Sequence, residues 1–325
     1  MARLHVDVGN PGYGAPVDDD WDGGPAEPSS ADVQTDVEVP PAAWQPRTAP
    51  TDVRSPKVVL LVDGVRRDDA WLWAEEEDGR SFPVLAASYA AGVVRCDLAR
   101  GVAEMAGARV ARRLFTASPT TTDLVAGQVR YAVHRVDGAG DPSSLHTAVQ
   151  GPLTALEVEV SGTVRTDGDL LVVDGPLRNR RQLPRTIGYI KTHRRQYLAA
   201  DLIARAVTRL RPGERSPVFK LGTAWGNYSW YLRLPGASGA PWAGIVRAEC
   251  SADLSEREAI ELADLSLVTL PRFASEPYKD PRAPRNLVPI AGLERRLRAL
   301  LGDARLLHRA LILAAARTAG NAVGT

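Results

Sequence analysis

The stretch KVVLLVDGVRR, residues 57–67, runs an apolar segment directly into a carboxylate, a glycine and two arginines. A segment of Val and Leu closed by Asp-Gly predicts a buried strand that ends at Asp63. A second stretch, DLLVVDGPLRNRR at residues 169–181, repeats the arrangement and predicts another strand that ends at Asp174. Asp-Gly alone is a common turn dipeptide. Because two apolar strands both end this way with arginines following, the pattern favours a functional pair over two unrelated turns.

Strand and helix patterns mix through the rest of the chain. Alternating or β-branched runs predict further strands at 70–75, 82–98, 129–136, 228–234 and 243–250. Helical spacing of apolar residues predicts helices at 194–210 and from about 286 onward, the latter with a break near Gly302. The sequence therefore predicts an α/β fold, in which a mixed central sheet is flanked by helices and followed by a helical C-terminal tail.

Residues 143–160 carry two competing patterns. Apolar residues such as Leu145, Val149 and Leu153 sit at helical spacing, whereas LEVEV at 156–160 alternates like a strand. The Gly-Pro pair inside the segment would bend or restart a helix. A helix is favoured, and the choice between Glu157 and Glu159 as the residue that faces the sheet stays open.

Composition separates the N-terminus from the rest of the chain. Residues 1–54 are rich in Pro, Gly, Asp and Ser and predict an extended, partly disordered arm, ahead of a folded body at residues 55–325. No apolar run approaches the ~18 residues of a spanning helix, and the N-terminus lacks a signal-peptide pattern. Two cysteines are too few for a disulfide framework. These features predict a cytoplasmic protein that does not contact a membrane.

The placement of carboxylates and of positive charge indicates where a divalent metal ion could bind. Carboxylates at the ends of adjacent strands lie at the rim of an open sheet, where α/β proteins place their sites. Two such aspartates and a glutamate would offer the hard oxygen ligands that suit Mg²⁺ or Mn²⁺. Residues 178–195 carry seven Lys or Arg and no acidic residue, although the net charge of the chain is only +1. The block suggests either a site for a polyanion or a solvated arginine-rich face.

An ordered series of sequence blocks, spread over residues 57–310, resembles the NurA family of nucleases. Each block is weak alone, and their order and spacing carry the resemblance. The blocks are LLVDGVRR at 60–67, TALEVEV at 154–160, LLVVDGPL at 170–177, IGYIKT at 187–192, WYLRLPG at 230–236, GIVRAEC at 244–250 and PRNLVPIAGLERRLRALLGD at 284–303.

The resemblance implies an RNase H-like core and a metal-dependent DNA nuclease of DNA end processing. It also implies a homodimer that docks on a HerA-type hexameric ATPase, which translocates DNA. The implied site has Asp63, Glu157 and Asp174 as ligands of Mn²⁺ or Mg²⁺, and Lys191 near the scissile phosphate. The residues predicted to contact DNA phosphates are Arg66, Arg178, Arg180, Arg181 and Arg194.

One departure from the family pattern bears on activity. The family has an Ala-His pair at the start of the late helix, and this chain has Ala291-Gly292 there. His193, close to Lys191, is a candidate substitute for proton transfer. The alternative hypothesis is therefore a catalytically weakened or inactive adaptor that docks a DNA-translocating ATPase. A third, weaker hypothesis is an RNase H-like enzyme that acts on RNA.

Overall fold

The structure of the protein is a computed structural model. It describes residues 3–6, 27–138, 141–178, 180, 183–193, 195–222, 226–236, 241–276, 278, 280 and 283–321. Two of the arginines predicted to contact DNA, Arg181 and Arg194, lie outside the described residues.

Strands account for most of the regular structure. They are β1 (Arg3–Val6), β2 (Glu27–Pro28), β3 (Asp32–Gln34), β4 (Val58–Glu75), β5 (Ser81–Asp97), β6 (Val102–Thr116), β7 (Leu124–Ala126), β8 (Val129–Arg135), β9 (Leu170–Asp174), β10 (Thr186–Ile190), β11 (Arg195–Gln196), β12 (Phe219–Gly222), β13 (Asn227–Arg233) and β14 (Ile245–Ser251). The helices are α1 (Pro142–Ala148), α2 (Gln150–Val164), α3 (Ala200–Leu202), α4 (Glu256–Thr269), α5 (Val288–Leu300) and α6 (Ala304–Asn321).

One large mixed sheet organises the molecule. Its strand order is β3-β12-β13-β14-β10-β9-β4-β5-β6-β8-β7, and β1 pairs with the second half of β4. Most neighbours are antiparallel, whereas β4 with β9, β9 with β10 and β6 with β8 are parallel. The predicted α/β class, with a mixed central sheet, flanking helices and a helical C-terminal tail, is confirmed.

The two faces of the sheet bury different helices. Successive residues of a strand point to opposite faces, and in β4 Leu61 belongs to the apolar core that contains Leu293 of α5. Its neighbour Leu60 belongs to the core that contains Leu153 of α2. We call these the α5 face and the α2 face. A side chain on β9, or on β4 before the β-bulge at Asp68–Ala70, can therefore be assigned to one face by its position along the strand.

The first Asp-Gly pair lies inside a strand, which differs from the prediction. β4 runs unbroken past Asp63 and Gly64 to Glu75, because it keeps its antiparallel partner β5 along its whole length. It is β9 that ends here, since its pairing with β4 covers only residues 59–62 of β4. The second Asp-Gly pair does turn, and Gly175 has a φ of 115°. The end of β9, and not an end of β4, therefore forms the sheet edge at which the two aspartates lie.

The ambiguous segment at 143–160 is helical, as favoured. It forms α1 and α2, and Pro152 lies in the first turn of α2, where a missing backbone N–H is tolerated. The helix predicted at 194–210 is much shorter than expected. Only α3 and the π-helical turn Ile203–Val207 form there, after the short strand β11.

The second half of the predicted arm is anchored to the folded body. Trp44 is 3% exposed, and Arg215 donates to Glu38 with both terminal nitrogens, at 2.8 and 3.0 Å. Arg215 also donates to Asp264 of α4 at 2.8 Å. A buried arginine held by two carboxylates fixes the path of the chain around residue 38. The domain boundary at residue 54 stays a prediction.

None of the helices among the described residues is both long enough and apolar enough to span a membrane.

Gly64 is a packing glycine, and its replacement should cost stability. A Cβ at this position would lie 2.5 Å from Oε1 of Glu157 and 2.7 Å from Cδ1 of Leu153, both on α2. We expect Gly64→Ala to lower the free energy of unfolding by about 1–3 kcal/mol, the usual cost of overpacking. Gly292→Ala is the matched control, because a Cβ there meets nothing within 4 Å. That helical substitution should raise stability by about 0.5–1 kcal/mol. Urea unfolding checks both, and equal stabilities for the two variants would contradict the packing role.

Candidate metal centre

Three carboxylates from three separate elements converge on the α5 face. Asp63 of β4, Asp174 of β9 and Glu294 of α5 each offer an oxygen, and these oxygens all lie within 4.8 Å of one another. The register explains the pairing of the aspartates, because Val62 and Val173 are aligned partners and each aspartate is the next residue. Both aspartates take the same face as the side chains two positions before them. The structure thus brings together two of the predicted ligands and adds a third that the sequence did not indicate.

Glu294 reaches the cluster because α5 is fixed against the sheet at several points. Ile290, Leu293 and Leu297 form its buried stripe, and Glu294 lies beside that stripe. Carbonyl groups at the C-terminal end accept from two arginines of the sheet: Arg67 donates to Gly302 O at 2.7 Å and Arg112 to Leu301 O at 3.1 Å. Cations at a helix C-terminus are also favoured by the helix dipole.

The electrostatics of the cluster favour a bound cation. Burial, followed by the charges of Asp174 and Glu294, raises the pKa of Asp63 well above its usual value. The Lys191 ammonium and the hydrogen bond from Gly64 N to Asp63 Oδ1, at 2.8 Å, oppose this shift. Burying Asp63 next to two other carboxylates disfavours its ionised form. A divalent cation among them would reverse that penalty.

Lys191 lies at the cluster, directly after β10. Its Nζ donates to Asp174 Oδ2 at 2.6 Å and to Asn286 Oδ1 at 3.3 Å. Asn286 is 1% exposed and donates in turn to Asp280 at 2.5 Å. Arg285 donates to Lys191 O at 3.1 Å. The segment before α5 therefore holds Lys191 next to the carboxylates, and its predicted place near a scissile phosphate stays a prediction.

Glu157 approaches the same region from the opposite side of the sheet. It lies on α2, where it is 8% exposed and forms an ion pair with Arg180. It is not among the three grouped carboxylates, because α2 covers the face to which Gly64 points and Asp63 points the other way. Its role as a ligand stays a prediction. Glu159, the other candidate, is half exposed and pairs with Arg109 at 2.7 Å.

Arg180 does not take the solvent-facing position that its predicted phosphate contact requires. It is 2% exposed, and besides the pair with Glu157 it donates to Pro176 O and Leu177 O at 3.4 Å. Burial lowers the pKa of Arg180 to about 10, and the charge of Asp63 opposes that shift. A basic run in a sequence predicts exposed arginines. Arg180 is instead buried, with its charge near the carboxylates of Glu157 and Asp63.

Two other arginines of the predicted DNA-contact set do face solvent. Arg178 is exposed in the loop after β9, with a φ of 43°. Arg66 is also exposed, and it donates to His146 O at 3.1 Å and meets His146 Nε2 at 2.8 Å. Both remain candidates for phosphate contacts.

A buried glutamate holds the loop after Asp174 by a hydrogen bond to its backbone. Glu249 of β14 is 2% exposed, accepts from Leu177 N at 2.8 Å and pairs with Arg247 at 3.0 Å. This fixes the loop that carries Arg178.

His193 is the candidate substitute for the histidine of the NurA pattern. It packs against Trp242 and meets Ile245 O at 2.9 Å.

The raised pKa of Asp63 gives a prediction on stability. A carboxyl with a raised pKa in the folded state binds its proton more tightly when folded. The stability that this proton contributes to the folded state is complete below the pKa of an aspartate in the unfolded chain, about 3.9. It is lost as the pH rises through the raised pKa of the folded state. In EDTA, Asp63→Asn should therefore melt at a higher temperature than wild type at pH 8, and the gain should vanish near pH 4. Thermal melts at the two pH values check this, and a variant that is less stable at pH 8 would contradict it.

Comparisons with known proteins give a single kind of match. No family model matches the chain, and no curated protein sequence matches it. Among solved structures it is similar to the crystal structure of the NurA nuclease from Sulfolobus solfataricus, with a TM-score of 0.43 and 9% sequence identity over 78% of this chain and 81% of that chain.

Proposed function

We propose that the protein is a divalent-metal-dependent DNA nuclease that hydrolyses phosphodiester bonds at the cluster of Asp63, Asp174 and Glu294. The observation that carries the proposal is the convergence of these carboxylates from two strands and a helix within 4.8 Å, with Lys191 bonded to one of them. The sequence blocks that resemble NurA nucleases contain both aspartates and the lysine.

The donor set fits Mn²⁺ or Mg²⁺. All three groups are carboxylates, the hard oxygen ligands that these ions prefer, and burial together with the charges of Asp174 and Glu294 raises the pKa of Asp63. A bound ion of this kind supplies a Lewis acid for the phosphoryl oxygens and a water of lowered pKa. Asp63, Asp174 and Glu294 would hold it.

The residues around the cluster suit a phosphodiester substrate. The Lys191 ammonium lies 2.6 Å from Asp174 and places a positive charge where a scissile phosphate would approach the carboxylates. Arg178 is exposed four residues beyond Asp174 and can neutralise a neighbouring phosphate. These side chains bind and orient the sugar-phosphate backbone of the DNA without reading its sequence.

The adaptor hypothesis rests on the missing family histidine at Gly292. Glu294 lies on the same helix, two residues further on, and joins the carboxylate cluster. A protein that only docks a partner gains nothing from carboxylates held together against their repulsion. This observation favours the enzyme over the adaptor. The homodimer and the HerA-type ATPase partner stay predictions that accompany the proposal.

Cleavage of linear DNA tests the proposal. Wild-type protein should cut labelled linear DNA with Mn²⁺ or Mg²⁺ and should leave it intact in EDTA, and Asp174→Asn should leave it intact in both. Matched RNA and hybrid substrates, run in parallel, should be cut more slowly. Metal-dependent binding of DNA with no product from wild type would support the adaptor and overturn the nuclease.

A further inference from the structure

We propose that Arg295 and Arg298, on the exposed flank of α5 beside Glu294, bind phosphates of the DNA backbone next to the carboxylate cluster. The inference rests on the proposed function for its substrate. It assigns a phosphate-binding surface to a helix outside the basic block at 178–195.

The helical geometry places Arg298 on the side of α5 that Glu294 shares, and Arg295 next to it on the outer face of the helix. Successive residues turn by about 100° around a helix. Arg298, four residues after Glu294, therefore lies about 40° from it, and Arg295 lies about 100° from it in the same sense. Leu293 and Leu297 of the buried stripe lie in the opposite sense. The two arginines thus extend outward from the cluster toward solvent.

Arg296 lies elsewhere on the helix, although it is the neighbour of Arg295. It is two residues after Glu294, which places it about 200° around the helix. Going around the helix from Glu294 to Arg296 in one direction crosses the buried stripe, and going in the other direction crosses the outer face that carries Arg298 and Arg295. Arg296 is exposed, as Arg295 and Arg298 are. It is therefore a control of the same residue type on the same helix.

The guanidinium groups of the two arginines are available to a ligand. The Arg298 side chain is 58% exposed, and its contact with Glu294 is a long one of 3.8 Å, which contributes little stability at a surface. Arg295 is exposed, and its guanidinium makes no hydrogen bond or ion pair with the described residues.

Neighbouring arginines are occupied in a different way. Arg67 and Arg112 donate to the carbonyl groups at the end of α5, and Arg180 is buried against Glu157. These three hold the site together. Arg295 and Arg298 have no comparable structural contact, so their charges remain for a substrate.

DNA binding without catalysis tests the proposal. A fluorescent, blunt-ended DNA duplex is titrated with full-length protein in EDTA, at several salt concentrations, and anisotropy is recorded. We expect Arg298→Gln and Arg295→Gln each to weaken binding about three- to tenfold at low salt. Each should also reduce the slope of log affinity against log salt by about one. Arg296→Gln should bind as wild type does.

The outcomes separate this proposal from the nuclease proposal. Unchanged binding and salt slope in Arg295→Gln and Arg298→Gln, or an equal loss in Arg296→Gln, would overturn the α5 surface while metal-dependent cleavage by wild type still stands. If Arg295→Gln and Arg298→Gln bind DNA more weakly than wild type and Arg296→Gln does not, but wild type cuts no DNA, the α5 surface is supported and the nuclease proposal is overturned. Thermal melts of all three variants confirm that a loss of binding does not reflect unfolding.

Discussion

Glu294→Gln should lower metal-dependent cleavage by about a thousandfold in a protein that stays folded. Glu294 supplies one of three carboxylates within 4.8 Å of one another, and the amide that replaces it carries no charge for a cation. Stabilisation by a metal ion is worth several kcal/mol, and each 1.36 kcal/mol corresponds to about tenfold in rate. The measurement is the cleavage rate with saturating DNA across a range of Mn²⁺ concentrations.

Glu159→Gln is the control for this substitution. Glu159 is a helical glutamate that is half exposed and pairs with Arg109 at the surface, so its variant should cut DNA at close to the wild-type rate. If Glu294→Gln kept full activity while Glu159→Gln lost it, the third ligand would come from α2 and the proposed cluster would be wrong.

Arg180→Met should lower the free energy of unfolding by about 3–5 kcal/mol. The substitution leaves the Glu157 carboxylate buried on α2 without its cation, and an uncompensated buried charge is strongly destabilising. Replacing both partners, as Glu157→Met/Arg180→Met, should recover most of that loss, because an apolar pair of similar volume is often neutral.

Urea unfolding of the two single variants and the double variant gives the coupling energy of the pair. Arg178→Met is the control, since Arg178 lies in the same loop and is exposed, and it should change stability by less than about 0.5 kcal/mol. Equal effects of Arg178→Met and Arg180→Met would contradict the buried pair.

The meeting of Asp63 and Asp174 was predictable from the sequence because two apolar runs with the same ending suggest adjacent strands. The course of β4 beyond Asp63 was not. The polar residues Arg66 to Asp69 conceal a continuing strand, which is stabilised by contacts that only the fold creates. Asp69 is buried and accepts from Arg67 at 2.8 Å and from Tyr131 at 2.8 Å.

The positions of Glu294 and Arg180 depend on tertiary contacts that the local pattern does not encode. Glu294 lies in the charged run LERRLR, next to the buried stripe of α5. That position points to the two aspartates only when the packing of α5 on the sheet is known. Arg180 lies in a basic run that is typical of a surface. It is buried because α2 brings Glu157 to the loop after β9.

A crystal soaked in Mn²⁺ and measured for anomalous scattering shows directly whether Asp63, Asp174 and Glu294 bind one ion. We expect a peak within about 2.0–2.6 Å of carboxylate oxygens of Asp63, Asp174 and Glu294, the usual range for hard divalent cations. A peak elsewhere, or no peak in crystals of a protein that cleaves DNA with Mn²⁺, would contradict it.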